Sequence, residues 1–156
     1  MSRFVLPEGY QLRHHFEMLF GNGVAVHAGD KLGADAPFCG IYRDDAKAPV
    51  GLCLCDMSFA AYAGAALSMM MPGDAKLAAQ KGPLPEVMRA NLYEVMNILS
   101  SLLMNEHTPH LKLVELCSPP ALDASIKAIA KNPEAHMSFK VELPRYGAGQ
   151  ITFALT

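Results

Sequence analysis

Residues 84–106, Leu-Pro-Glu-Val-Met-Arg-Ala-Asn-Leu-Tyr-Glu-Val-Met-Asn-Ile-Leu-Ser-Ser-Leu-Leu-Met-Asn-Glu, read as one amphipathic helix. Pro85 suits a first-turn position, where its missing N–H costs nothing, and Glu86 favours the positive end of the helix dipole. Met88, Leu92, Val95, Met96, Leu99, Leu102 and Leu103 recur at threes and fours and predict a broad buried stripe. Ala90, Glu94, Asn97 and Ser101 follow one another at +4, +3 and +4, so they share a single ridge on another face. On that ridge a carboxylate and a carboxamide sit one turn apart between small residues. The patch is polar, compact and open to close approach by another protein.

The 156 residues suit one domain spanning 1–156, and 51% hydrophobic against 18% charged residues predicts a packed core rather than disorder. The formal charge of −2, from 13 Lys and Arg against 15 Asp and Glu, comes without a basic run, which speaks against nucleic acid as a partner. The longest apolar stretch, 59–71, falls short of the ~20 residues a spanning helix needs and is interrupted by Gly64 and Ser68, which speaks against a membrane. No charged start followed by an apolar block marks a secretory signal, so the expected location is cytoplasmic.

Four cysteines, at 39, 53, 55 and 117, form no recognisable pairing or zinc pattern. Cys53 and Cys55 alternate with Leu52 and Leu54, which points both to one face of a strand as small buried hydrophobes. His107 and His110 flank Pro109 just past the long helix, where a polar or cationic residue suits the C-terminal end. With no carboxylate or cysteine read at ligand spacing, no metal site is expected there.

Around the long helix the chain falls into short elements. Residues 8–20, with Tyr10, Leu12, Phe16, Leu19 and Phe20, predict a first helix ending at Gly21-Asn22-Gly23. Strands are expected at 24–27, 37–43 and 50–55, with Asp44-Asp45 and Pro49 marking the turn between the last two. Asp56 or Ser58 caps an Ala- and Met-rich helix over 58–71, stopped by Pro72-Gly73-Asp74, and 74–83 reads as a polar connection with at most a helical turn. Then come a strand at 111–117, a break at Ser118-Pro119-Pro120, a short helix over 121–131, and a hairpin of 136–143 and 150–155 around Tyr146-Gly147-Ala148-Gly149. About six strands with hairpins dominating argue α+β with a largely antiparallel sheet.

Two blocks resemble the chemotaxis phosphatase family known as CheC and CheX. Its hallmark helix carries Glu-x-x-Asn, followed by small residues, a strand and a proline-bearing turn. Glu94-Val95-Met96-Asn97-Ile98-Leu99-Ser100-Ser101-Leu102 is similar to that helix, and the run from Leu111 through Cys117 to Pro119-Pro120 resembles the strand and turn. Residues 50–55 with the Ala-rich 60–71 resemble the family's preceding strand–helix step, and 138–143 with 150–155 its closing hairpin. The likeness covers most of 50–155, and its single Glu-x-x-Asn resembles CheX-type members more than CheC-type members, which typically carry two. Ala90 stands where members usually have Ser or Asp, and Ser100-Ser101-Leu102 replaces a glycine-containing segment. The resemblance implies a CheC-like α+β domain, its sheet packed against two long helices.

It also implies a substrate, the phosphoaspartate of a CheY-like response-regulator receiver domain in chemotaxis or two-component signalling. Phosphoryl transfer to water needs an in-line nucleophile and compensation of charge on the equatorial oxygens. The receiver supplies a divalent metal ion such as magnesium and a lysine, so the phosphatase needs no cofactor of its own and has only to position water. A carboxamide both accepts and donates without titrating. The resemblance assigns that role to Asn97 and the pairing with the receiver lysine to Glu94, on a partner-binding ridge of Ala90, Glu94, Asn97 and Ser101. The gain is in orientation.

On residue pattern alone, Glu94 also reads as a solvated surface carboxylate and Asn97 as a polar residue bonded to a neighbouring loop. Ser58 and Ser118 sit at capping or turn positions, where hydroxyls serve the backbone, and neither a glycine-rich phosphate loop nor a Gly-x-Ser-x-Gly elbow is present. The alternative function is a catalytically inactive CheC-like adaptor that docks a signalling or flagellar-switch partner. Ala90 favours the adaptor, whereas the retained Glu94 and Asn97 favour the phosphatase. CheX-type relatives pair through sheet edges, so a homodimer is expected. The terminal strand at 150–155, without proline and with little charge, is its expected edge.

Overall fold

The computed structural model describes residues 2–156. Its strands are β1 (Ala25–Ala28), β2 (Phe38–Asp44), β3 (Pro49–Cys55), β4 (Leu111–Cys117), β5 (Ala135–Leu143) and β6 (Gly147–Leu155). Its α-helices are α1 (Gly9–Phe20), α2 (Met57–Leu67), α3 (Pro72–Lys81), α4 (Glu86–Leu99) and α5 (Ala124–Lys131). The strands form one antiparallel sheet in the order β1-β5-β6-β3-β2-β4, the α+β arrangement that the order of elements predicts.

The sequences of β3 and β6 explain their central place. Residues 50–55 and 151–155 are buried along their whole length, as strands covered on both faces must be. One face, carrying Tyr42, Cys53, Cys55 and Phe153, packs against Leu12 and Phe16 of α1, Phe59 of α2 and the apolar stripe of α4. The other, carrying Cys39, Leu52, Leu54 and Ala154, lies under Leu122, Ile126 and Ala130. Cys53 and Cys55 share a face as their alternation requires, and all four cysteines are free and buried.

Asp56, rather than Ser58, caps α2, its carboxylate accepting the Phe59 N–H at 2.8 Å. The backbones of α2 and α4 meet at Gly64, where an added Cβ would lie 2.5 Å from the Met88 carbonyl oxygen. Only glycine permits that approach.

Several boundaries and one placement differ from expectation. Most of 74–83 belongs to a helix, α3, and Pro72 begins it rather than marking a stop. Pro72 sits in the first turn with Asp74, and Lys81 in the last, so both ends suit the dipole. The preceding helix therefore ends at Leu67 rather than at 71, and a turn through Met69, at φ 54°, joins the two. The long helix is α-helical only over Glu86–Leu99 and tightens into a 3-10 turn over Ser100–Leu103 instead of running to 106. The terminal strand is not an edge, because β6 pairs with β5 on one side and β3 on the other. The sheet's edges are β1 and β4. Among the described residues no helix is long and apolar enough to cross a membrane.

Candidate functional site

The inward stripe of α4 is closed. Met88, Leu92, Val95, Met96 and Leu99 are each at most 1% exposed, and Leu102 and Leu103 continue the buried run through the 3-10 turn. Polar groups then fix the helix from three sides. Asn91 Nδ2 donates to the Gly64 carbonyl and to Ser68 Oγ, both at 2.7 Å, which ties α4 to α2. Arg89 donates to the Leu116 carbonyl of β4 at 2.8 Å, its guanidinium 5.6 Å from the centre of the Phe38 ring. From below, the Tyr42 hydroxyl donates to the Met96 carbonyl at 2.6 Å. Burial pushes the Tyr42 phenol well above its ordinary range and keeps it a neutral donor.

That last bond explains the end of the helix. The Ser100 N–H turns to Asn97 O and Ile98 O as the ladder tightens, and the Met96 carbonyl is taken by Tyr42. Ser100 Oγ adds a bond to the Asn97 carbonyl at 2.6 Å. The backbone around Asn97 is thus held by buried Tyr42 at the preceding Met96 carbonyl and by Ser100 at its own carbonyl.

Facing outward are Ala90, Glu94, Asn97 and Ser101, all exposed, on the ridge their spacing predicts. Val87, 57% exposed and three residues before Ala90, extends it with an apolar side chain. The carboxylate of Glu94 and the carboxamide of Asn97 make no hydrogen bond or ion pair among the described residues, so the reading of Asn97 as bonded to a neighbouring loop does not hold. A shallow groove of about 310 Å³ runs beside the ridge, lined by Glu86, Arg89, Ala90, Tyr93 and Leu116. At the far end Ser101 Oγ lies 3.4 Å from Nε2 of His15, on α1, a neighbour that sequence spacing does not reveal across 86 positions.

Other candidates do not converge. His110 faces Asp45 at 3.2 Å and His107 its neighbour Glu106 at 3.3 Å, all four exposed. No group of three or more His, Cys, Asp or Glu among the described residues could hold a metal ion. The larger apolar cleft between α3 and the start of α4, about 450 Å³, has Asp74 and Lys81 as the titratable groups among its lining residues. Burial pushes the Cys39 thiol up to about 12 and raises that of Cys53 as well, so neither is poised as a nucleophile.

No protein-family model matches the chain, and no curated protein matches it by sequence. Solved structures do. A chain of the FliM–SpeE complex from H. pylori matches at TM-score 0.53 and 10% identity, over 94% of this chain and 80% of that one. The FliM middle domain from H. pylori matches at TM-score 0.50 and 8% identity, over 94% and 84%. CheX in the CheX–CheY–BeF3–Mg complex from Borrelia burgdorferi matches at TM-score 0.43 and 6% identity, over 91% and 90%. The two FliM structures show a shared fold, and the chain carries the CheC/CheX-like α+β fold that its motifs resemble.

Proposed function

We propose that this protein is a cytoplasmic phosphatase that hydrolyses the phosphoaspartate of a response-regulator receiver domain. The observation that supports this reading is the pair of unengaged, exposed side chains Glu94 and Asn97 on a helix otherwise fixed on its inner side. In this reading Asn97 enters the partner's site and orients the attacking water, its carbonyl oxygen accepting a hydrogen bond from the water and its amide donating to a phosphoryl oxygen. Glu94, one turn away, pairs with the receiver's lysine. The divalent ion belongs to the receiver and compensates charge there, so this chain contributes geometry rather than proton transfer. Should the protein also form a homodimer through its sheet, β1 and β4 are the edges left to pair.

A second reading has its own support. Ala90 offers only a methyl group, and Val87 exposes apolar surface beside it, so half of the ridge suits contact rather than chemistry. A catalytically silent adaptor on the same ridge fits that half. Phosphate release from a panel of phosphorylated receiver domains decides between them. For the phosphatase, Asn97→Ala abolishes hydrolysis while leaving binding largely intact, because the amide acts in the transition state. Glu94→Ala weakens the complex instead. A receiver that binds the wild-type protein and loses phosphate equally fast with Asn97→Ala leaves the adaptor standing.

A further inference from the structure

The ridge of α4 ends against a side chain from another helix, and the geometry there is directed. His15 Nδ1 lies 3.2 Å from the Gln11 carbonyl oxygen. A carbonyl only accepts, so this nitrogen carries the proton, and Nε2 is left to accept, or to donate when the ring is protonated. Nε2 faces Ser101 Oγ at 3.4 Å, and that hydroxyl also lies 3.1 Å from the Ile98 carbonyl. The hydroxyl proton can turn to either acceptor, and when it turns to Ile98 the Nε2 lone pair is left for another donor. His15 is half-buried, and the two contacts at its ring nitrogens set its orientation.

Ser101 follows Asn97 by four residues, about 6 Å along a helix axis, and Glu94 precedes Asn97 by three. We propose that His15 is a positioning residue of the receiver-docking surface, a second anchor on the opposite side of Asn97 from Glu94. It extends the surface from α4 onto α1 and offers its imidazole to a polar group on the rim of the partner's phosphorylation site. The inference rests on the receiver-docking reading. His15 does not touch the reacting atoms, and an anchor bound equally in ground and transition states changes KM and leaves kcat alone.

The test titrates receiver domains loaded with beryllofluoride and magnesium, and in parallel measures steady-state phosphate release from the phosphorylated domains. His15→Ala raises both Kd and KM about five- to tenfold, the loss of roughly one hydrogen-bonded contact, with kcat within about twofold of wild type and an unchanged melting temperature. His15→Gln, which keeps a polar group at similar reach, recovers most of the affinity. An unchanged Kd with His15→Ala overturns the proposal, and so does a joint fall in kcat and melting temperature, which marks a structural role. If a receiver binds without being hydrolysed, the catalytic reading fails and the Kd comparison still decides for or against His15. If no receiver binds the wild-type protein, both fall together.

Discussion

The two faces of α4 share one backbone and are governed by opposite rules. Inward, Met88, Leu92, Val95, Met96 and Leu99 are packed without exposed surface, and the carbonyl freed at Met96 is taken by Tyr42. Outward, Val87 lies 57% exposed and neither Glu94 nor Asn97 has a partner within the described chain. Everything on the inner face is satisfied by the fold itself. On the outer ridge Glu94 and Asn97 are left unsatisfied by the fold, and they sit on an element whose position is fixed by contacts to α2, β2 and β4. Substitutions inside should therefore be read in stability, and substitutions outside in partner chemistry.

The comparison is broken most easily from the inside. Leu99→Ala removes a side chain with no exposed surface and should cost about 2–5 kcal/mol of unfolding free energy, measured by urea denaturation with an unchanged m-value. A cost under 1 kcal/mol would place the core elsewhere. Tyr42→Phe is smaller in volume and different in kind. It keeps the ring in the core and strips the Met96 carbonyl of its partner, for an expected cost of about 1–3 kcal/mol. Because that bond sits where α4 tightens into its last turn, faster amide exchange at Ser100 and Ser101 should accompany the loss. Exchange that speeds uniformly along α4 would mean the bond holds the helix as a whole rather than its end.

Legibility in the sequence followed the same division. α4, β4 and the closing hairpin could be read because their apolar residues recur with the period of the element. α3 could not, because its buried residues are Ala75 and Ala78, which leave almost no apolar contrast, and because Pro72 serves equally as a stop and a start. The central place of β6 had a signal that was available: residues 151–155 form a continuous run that is nearly all apolar, the mark of a strand covered on both faces. Absence of proline and charge fits an unprotected edge equally well, because a buried central strand has the same composition. The ridge itself was visible from spacing, since four exposed positions at +4, +3 and +4 need only a helix to align them. His15 was not, because its approach to Ser101 depends on how α1 packs, which no local pattern encodes.

The smallest expected effect is the sharpest test of the contrast. Truncating Glu94 or Asn97 to alanine removes no buried contact, hydrogen bond or ion pair from the described chain, so each should shift stability by no more than about 0.5 kcal/mol. The sign is informative for Asn97. Asparagine is a poorer helix former than alanine, since its side chain competes for backbone groups and loses rotamer freedom, so Asn97→Ala should leave stability level or raise it slightly. Glu94→Ala exchanges two good helix formers and should be neutral. A residue whose replacement improves the free protein while removing hydrolysis of a bound receiver is held there by its partner rather than by the fold. Measured destabilisation above 1 kcal/mol at either position would mean that the ridge belongs to the scaffold. The separation between the two faces of α4 would then be lost, and with it the support for reading the ridge as a docking surface.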